Sequence, residues 1–243
     1  MRKRIKPIVV YVVLALLGLA LVIANIHNTS KQQAHLQNVK SAIPSATTPK
    51  TTTSSTSSSS DEELILNPII DLSGWQLPQD IDYDVLSNHI SGAIIRVFGG
   101  SQISKDSNAA SSNGVDKSFK KHIKELQKRD VPVAVYSYAQ GASVKEMKEE
   151  ARIFYKNASP YKPTYYWIDV EEETMPNMEE GVQAFLAELK RLGADKVGLY
   201  IGAYFMLEQE VSTRNFDAVW IPAYGTDSGY YETLPNTDID YDL

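Results

Sequence analysis

Short apolar segments, rich in β-branched and aromatic residues, alternate with amphipathic helical segments from residue 64 to the end of the chain. Strands separated by helices run parallel, because each helical crossover returns the chain to the same end of the sheet. This alternation predicts an α/β domain over residues 64–243, with a parallel sheet that is either doubly wound or closed as a barrel. The six predicted strands are Ile65–Leu72, Ala93–Phe98, Val131–Tyr138, Tyr165–Val170, Lys196–Ile201 and Ala218–Ala223.

Capping residues mark the beginnings of three predicted helices, at Asp116, Ser143 and Asn177. Ser143 and Asn177 are each followed three residues later by a glutamate, as in a capping box. Gly193 is suited to the left-handed position that ends the third helix. The predicted helix stripes are Phe119, Ile123 and Leu126, then Met147, Ala151 and Phe154, then Val182, Phe185, Leu186 and Leu189.

The fourth predicted strand favours the barrel over the doubly wound sheet. Its alternation places Tyr165, Trp167, Asp169 and Glu171 on one face, so that this face ends in acid. Strands of a doubly wound sheet are apolar on both faces, whereas a barrel strand can direct polar groups into the mouth at its carboxyl end. The first strand ends in the same way at Asp71, and no glycine-rich phosphate loop follows it. Acids at the ends of different strands are typical of a barrel active site.

The N-terminal part of the chain has a different composition. Residues 7–26 carry no charge and are long enough to cross a bilayer, and four basic residues lie within residues 1–6. This pattern predicts a single-pass signal-anchor with a cytoplasmic N-terminus and an extracellular domain; a cleaved signal peptide is the alternative. Residues 27–63 include a Ser/Thr-rich stretch without apolar periodicity, which predicts a disordered, flexible linker.

Composition excludes several classes of function. The chain has no cysteine, so disulfides, thiolate metal sites and cysteine nucleophiles are ruled out. With 24 basic against 30 acidic residues, it lacks the cationic surface that nucleic acids require. Four scattered histidines give no metal motif, and a carboxylate metal site remains a minor alternative. We expect neither a cofactor nor a metal.

Asp169 and Glu171 are the candidate catalytic pair. They are two residues apart on one strand, about 6–7 Å between Cα atoms, so their carboxyl groups can converge. One pKa of such a pair should rise, which suits a general acid, while the other group stays charged. Carboxylates with nearby aromatic residues indicate glycoside cleavage. The alternative roles are helix capping or solvation for acids, as we expect for Glu172 and Glu173, and core packing for the aromatic residues. The candidate sugar-binding aromatic residues are Trp75, Tyr136, Tyr138, Trp167, Tyr200, Trp220 and Tyr224.

Four stretches, in order, resemble the glycoside hydrolase family 25 muramidases, which are lysozymes of bacteria and their phages. They are residues 70–76 (IDLSGWQ), 166–171 (YWIDVE), 198–200 (GLY) and 220–224 (WIPAY). The resemblance implies an irregular TIM-like barrel of eight strands that cleaves the β-1,4 bond between N-acetylmuramic acid and N-acetylglucosamine in peptidoglycan. It implies that Glu171 is the general acid, that Asp169 orients the attacking N-acetyl group and that Asp71 tunes the site.

The sequence departs from that family at three places. Residues 96–100 read RVFGG where many members carry a Lys-Ala-Thr-Glu-Gly type sequence, and Ser137 replaces a frequent histidine. The family continues past a segment like residues 241–243 into two further strands, the last bearing an active-site acid. Six strands also fall short of the eight of a closed barrel. We therefore expect a C-terminally incomplete barrel, either a membrane-anchored wall hydrolase or an inactive remnant that binds peptidoglycan.

Overall fold

The computed structural model describes residues 67–226 and 233–243. The cytoplasmic segment 1–6, the anchor 7–26 and the linker 27–63 lie outside the described residues. Within the described part, no helix has both the length and the apolar character needed to span a bilayer.

Within residues 67–226 and 233–243, six parallel strands pair in chain order to form a single curled sheet, a half-barrel. The strands are β1 (Ile69–Leu72), β2 (Gly92–Phe98), β3 (Val133–Tyr138), β4 (Tyr166–Val170), β5 (Val197–Ile201) and β6 (Ala218–Trp220). The helices are α1 (Tyr83–Ser87), α2 (Phe119–Gln127), α3 (Val144–Ala158), α4 (Met178–Leu192) and α5 (Ala203–Glu208), with 3₁₀ turns at Pro78–Asp80 and Ser159–Tyr161. All six predicted strands are present, within a few residues at each end.

The order of the strands decides between the two folds that the sequence left open. A doubly wound sheet reverses its strand order at a switch point, which places helices on both faces. Here the order never reverses, so right-handed crossovers place every helix on the same face. The opposite face is left as the concave inner side. It is packed by Ile94, Ala134, Trp167 and Ala218, with Tyr136, Tyr165 and Trp220 partly buried against them.

The main core lies between the sheet and the helices. The stripes predicted for α2, α3 and α4 are buried there, as are the residues of β2 to β5 that face away from the concave side. Ser143 Oγ accepts the Glu146 N–H at 3.2 Å, and Asn177 Oδ1 accepts the Glu180 N–H at 3.1 Å, so both predicted caps are confirmed. Gly193 ends α4 in the left-handed conformation, as predicted.

The third predicted cap needs a correction. Helix α2 begins at Phe119 with Ser118 as its capping residue, so the cap lies two residues after Asp116, where it was predicted. Asp116 still serves the helix, because its Oδ1 accepts the N–H groups of Ser118 at 2.8 Å and Phe119 at 3.1 Å. Its Oδ2 accepts from the Gly74 N–H at 2.7 Å and from Arg96 Nε at 3.0 Å. One buried carboxylate therefore joins the loop after β1, strand β2 and the start of α2.

Two segments lie outside the predicted strands and helices. The segment between β2 and α2 folds back on the sheet, with Gly99 N–H bonded to Gly114 O at 2.7 Å. The C-terminal residues run along β6, where Asp242 N–H donates to Val219 O at 2.8 Å and Leu243 O accepts from Ile221 N–H at 3.0 Å. This tail covers part of the β6 edge.

Removing the Asp116 carboxylate should destabilise the domain strongly. Asp116→Ala leaves a nearly buried guanidinium and three backbone donors without their acceptor, at an expected cost of about 3–5 kcal/mol in the free energy of unfolding. Urea denaturation measures this. Asp195→Ala, at an exposed acid before β5, is the control and should leave the midpoint nearly unchanged. A loss at position 116 no larger than the control's would contradict the joining role.

Gly198 is required by the ring that packs on it. A Cβ at this position would lie 2.4 Å from the Trp167 ring, whereas a Cβ at Gly92 would meet nothing closer than 3.5 Å. We expect Gly198→Ala to destabilise the fold by about 1–3 kcal/mol, since the ring must shift, and Gly92→Ala to be neutral or slightly stabilising. Urea denaturation of the two variants makes the comparison. Equal midpoints would contradict this packing account.

Candidate active site

A cavity of about 300 Å³ opens at the carboxyl ends of the strands, on the concave side of the sheet. Its walls combine three acids with aromatic rings. The lining residues are Asp71, Tyr136, Trp167, Asp169, Glu171, Tyr200, Trp220, Pro222, Ala223 and Tyr224. The three predicted catalytic acids, from β1 and from the end of β4, are therefore brought to one cavity.

Strand register explains this convergence. Asp169 of β4 is paired with Tyr138 of β3 and with Tyr200 of β5, and Tyr200 is paired with Trp220 of β6. One row lower, Trp167 lies between Tyr136 and Gly198. Residues in register on neighbouring strands share a face, so the period-2 alternation of each strand delivers its residue to the same inner surface.

Asp169 is the most perturbed acid of the site. Its residue is only 8% exposed, and its Oδ1 is buried without a hydrogen-bond partner among the described residues. Burial, followed by the neighbouring charge of Glu171, raises the pKa of Asp169 to about 9. The carboxyl group is therefore protonated at neutral pH in the empty site. Glu171, the first residue after β4, is the solvent-facing member of the pair.

The location of the raised pKa refines the sequence-based expectation. One member of the pair was expected to hold a proton, and the resemblance assigns the acid role to Glu171. The structure raises the pKa of Asp169 instead, because Asp169 is the buried member. Burial also raises the pKa of Asp71. The site thus disfavours the accumulation of negative charge until a ligand enters.

Arg96 is a site neighbour that sequence reasoning did not select. It lies on β2 in register with Tyr136, and its Nε is held by Asp116. Its positive charge lowers the pKa of Asp169 and so partly offsets the burial. The sequence contains one signal for Arg96, because it begins the RVFGG stretch at residues 96–100, where this chain departs from the family pattern.

Aromatic rings build the wall beside the acids. Trp220 meets Tyr200 edge to face at 4.8 Å between ring centroids and Trp167 edge to face at 6.0 Å. The hydroxyls of Tyr200 and Tyr224 are 2.6 Å apart, and Tyr224 is 79% exposed at the rim. Perpendicular packing fixes each ring through its neighbour, so the wall is preorganised for a flat, partly apolar ligand.

Two predicted sugar-binding residues do not line the cavity. Trp75 is 64% exposed on the loop after β1, and Tyr138 directs its hydroxyl to Glu172. Pro222 and Ala223 line it instead, and their only sequence signal was their place within residues 220–224. The described residues contain no cluster of three or more histidine or acidic side chains arranged to hold a metal ion.

One buried and two exposed carboxyls in a cavity walled by aromatic rings, at the mouth of a parallel half-barrel, define a glycoside hydrolase class of site. The sequence model of the glycosyl hydrolases family 25 matches residues 70–239. The chain belongs to this family and is a glycoside hydrolase. None of the functionally curated proteins matches the chain significantly.

Solved structures agree with this assignment. The chain is 57% identical to GHIP of Streptococcus pneumoniae, described as a glycosyl hydrolase 25 and virulence factor participating in host cell invasion, with a TM-score of 0.70 over 72% of this chain and 77% of that one. It is 27% identical to the catalytic domain of the endolysin ply40, from bacteriophage P40 of Listeria monocytogenes, with a TM-score of 0.60 over 72% and 81%. The bacterial lysozyme of Streptomyces coelicolor, 19% identical, with a TM-score of 0.50 over 69% and 77%, shares the fold.

The raised pKa of Asp169 makes the stability of the domain depend on pH. The pKa is about 9 in the folded chain against an ordinary 3.8, so between these values the folded state binds the extra proton. Stability therefore falls as pH rises through this window. Asp169→Asn removes the dependence, and we expect it to raise the free energy of unfolding by about 1–3 kcal/mol at pH 8 and by little at pH 4.

Urea denaturation at both pH values measures this effect. Asp240→Asn, at an exposed acid of the C-terminal segment, is the control and should change stability little at either pH. An Asp169→Asn variant less stable than the wild type at pH 8 would show that the carboxyl is buried in its charged form.

Proposed function

We propose that the chain is a muramidase that hydrolyses the β-1,4 bond between N-acetylmuramic acid and N-acetylglucosamine in peptidoglycan, in cell-wall turnover. The observation that carries the proposal is the pairing of a buried, protonated Asp169 with a solvent-facing Glu171 in an aromatic-walled cavity. The raised pKa of Asp169 gives this pair a bound proton near neutral pH. Membership of the family supports the same reaction class.

The pair can act through movement of its single proton. An acetamido N–H placed beside Asp169 favours the ionised form of that carboxyl, because a hydrogen bond to the charged form stabilises it. The released proton passes to Glu171, which donates it to the glycosidic oxygen as the bond from that oxygen to the anomeric carbon breaks. The acetamido oxygen bonds to the anomeric carbon in the same step. Water then attacks that carbon and breaks its bond to the acetamido oxygen, while the Glu171 carboxylate takes a proton from the water. This proton returns to Asp169 when the product leaves.

The aromatic wall supports the binding of the glycan. Trp220 and Tyr200 present ring surfaces to the cavity, and Tyr224 stands at its rim. Sugar rings pack with their C–H faces on such surfaces, and the paired hydroxyls of Tyr200 and Tyr224 add polar contacts. We place the glycan strand along this wall, with the scissile bond above Glu171.

We further propose that the protein is anchored in the cell membrane by residues 7–26, with its N-terminus inside and residues 64–243 outside. The uncharged run of 20 residues and the preceding basic cluster support this orientation. The Ser/Thr-rich composition within residues 27–63 predicts a flexible linker, which would hold the domain on the order of 30–35 Å from the membrane, within reach of wall glycan.

Replacing the proton donor should abolish the reaction. We expect Glu171→Gln to lower the rate of reducing-end release from purified peptidoglycan by at least about 100-fold, because the amide cannot donate an acidic proton. Its thermal unfolding should match that of the wild type. Glu208→Gln, at an exposed position of α5, is the matched control and should keep the wild-type rate.

Two outcomes would overturn the proposal. Turnover by Glu171→Gln at the wild-type rate would remove the acid role. Binding of the wild-type chain to insoluble peptidoglycan without any release of reducing ends would favour the peptidoglycan-binding remnant.

Membrane anchoring has its own test. In intact cells from which the wall has been removed, external protease should degrade the domain of the full-length chain, and a chain lacking residues 1–26 should be found in the cytoplasmic fraction. Full-length protein that stays protected from protease, or that leaves the membrane fraction on a salt wash, would contradict the anchor.

A further inference from the structure

A hydrogen bond beside the active site joins two residues for which the sequence indicated other roles. Tyr138, the last residue of β3, was predicted to contact sugar, and Glu172 was expected to cap a helix or be solvated. The Tyr138 hydroxyl instead donates to Glu172 Oε1 at 2.5 Å. Neither residue lines the cavity, but Glu171, the neighbour of Glu172, does.

Glu171 lies at a point where the regular structure has just ended. Strand β4 stops at Val170, and α4 begins only at Met178, so Glu171 opens a connecting segment of seven residues. Ladder hydrogen bonds hold Asp169 in place, but the direction of the Glu171 side chain depends on how this segment is tethered.

The Glu171 carboxyl contacts that of Asp169, and the bond from Tyr138 to Glu172 is the next restraint along the chain. Farther along the segment, Gln209 Nε2 contacts Glu173 Oε2 at 3.5 Å, a long and therefore weak hydrogen bond. Thr174 Oγ1 donates to Gly141 O at 2.9 Å. Only the Tyr138 bond, among these three, ties the segment to a strand in register with Asp169. It therefore fixes the segment relative to the strand row that carries Asp169.

The physical effect of this bond has two parts. Glu172 is the next residue along the backbone and lies at a bend, so a hydrogen bond that holds its side chain also restrains the backbone that carries Glu171. Residues 171–173 are also three consecutive acids, and mutual repulsion drives ionised neighbours apart. The Tyr138 hydroxyl holds the Glu172 carboxyl against β3 and so keeps it from approaching Asp169 and Glu171.

We propose that Tyr138 and Glu172 form a positioning pair that holds the Glu171 carboxyl in the cavity during glycoside hydrolysis. The inference rests on the proposed function and deepens it. Neither residue touches the reacting atoms. The pair acts through Glu171, so its loss should lower kcat and leave KM nearly unchanged.

The test uses the full-length chain and peptidoglycan, with four variants. Tyr138→Phe removes only the hydroxyl, and Glu172→Ala removes the acceptor. Glu172→Gln keeps an acceptor oxygen. The fourth variant is the double one, which combines Tyr138→Phe with Glu172→Ala. We expect the first two to lower kcat by about 10-fold or more, since small misplacement of a catalytic group is costly. Glu172→Gln should retain most of the activity. The double variant should be no worse than either single one, because both disrupt the same bond.

Tyr204→Phe, at an exposed tyrosine of α5, is the matched control and should match the wild type. A rise in KM with unchanged kcat in Tyr138→Phe would assign Tyr138 to sugar contact and overturn the pair. Additive losses in the double variant would overturn it as well. Losses that parallel a fall in thermal unfolding temperature, with no rescue by Glu172→Gln, would leave only a structural role and overturn it too.

Failure of the proposed function can be told apart from failure of the pair. If the wild-type chain releases no reducing ends, the proposed function fails, and the pair is then tested by carbon-13 NMR of the Glu side-chain carboxyls. We expect the chemical shift of the Glu171 carboxyl carbon, assigned with Glu171→Gln, to change in Tyr138→Phe and not in Tyr204→Phe. An unchanged chemical shift in Tyr138→Phe would overturn the positioning pair.

Discussion

Parallel pairing of six strands in chain order is the constraint on which the rest of the structure depends. Because the order never reverses, the helices cover one face and leave the other as a concave surface. That surface collects one row of side chains from each strand. Asp169, Tyr200 and Trp220 become neighbours through register, although they are far apart in the sequence. The same register places Trp167 against Gly198, where only a residue without a Cβ leaves room for the ring.

Burial is the second constraint on the site, because it raises the pKa of Asp169 so that this carboxyl keeps its proton. Asp169 lies at the carboxyl end of β4, where the rings of the wall reduce its contact with water, and its pKa rises to about 9 as a result. Glu171, two residues on, stays in contact with solvent. Two chemically similar groups thus lie in different surroundings, one buried and one exposed, as the chemistry of glycoside cleavage requires. Burying Asp169 lowers the free energy of unfolding, and the apolar core between the sheet and the helices offsets this loss.

Polar anchors around the sheet hold this arrangement in place. Asp116 joins the loop after β1 to β2 and α2, and it also holds Arg96, whose charge acts on Asp169. The Tyr138 to Glu172 bond performs a similar task on the segment that carries Glu171. Both anchors connect residues that are far apart in the chain. The precision of the site therefore depends on a few hydrogen bonds as much as on the hydrophobic core.

Period-2 and helical periodicities in the sequence were sufficient to determine the six strands, the three main helices and two of the three caps, because these patterns reflect local geometry. The shared face of Asp169 and Glu171 followed from the same alternation. The sequence could not determine which acid is buried, since desolvation depends on residues contributed by other strands. It also could not determine that Trp75 lies outside the cavity, that Asp116 binds Arg96, or that Tyr138 bonds Glu172. These contacts join positions far apart in the chain, and only the register and curl of the folded sheet decide them.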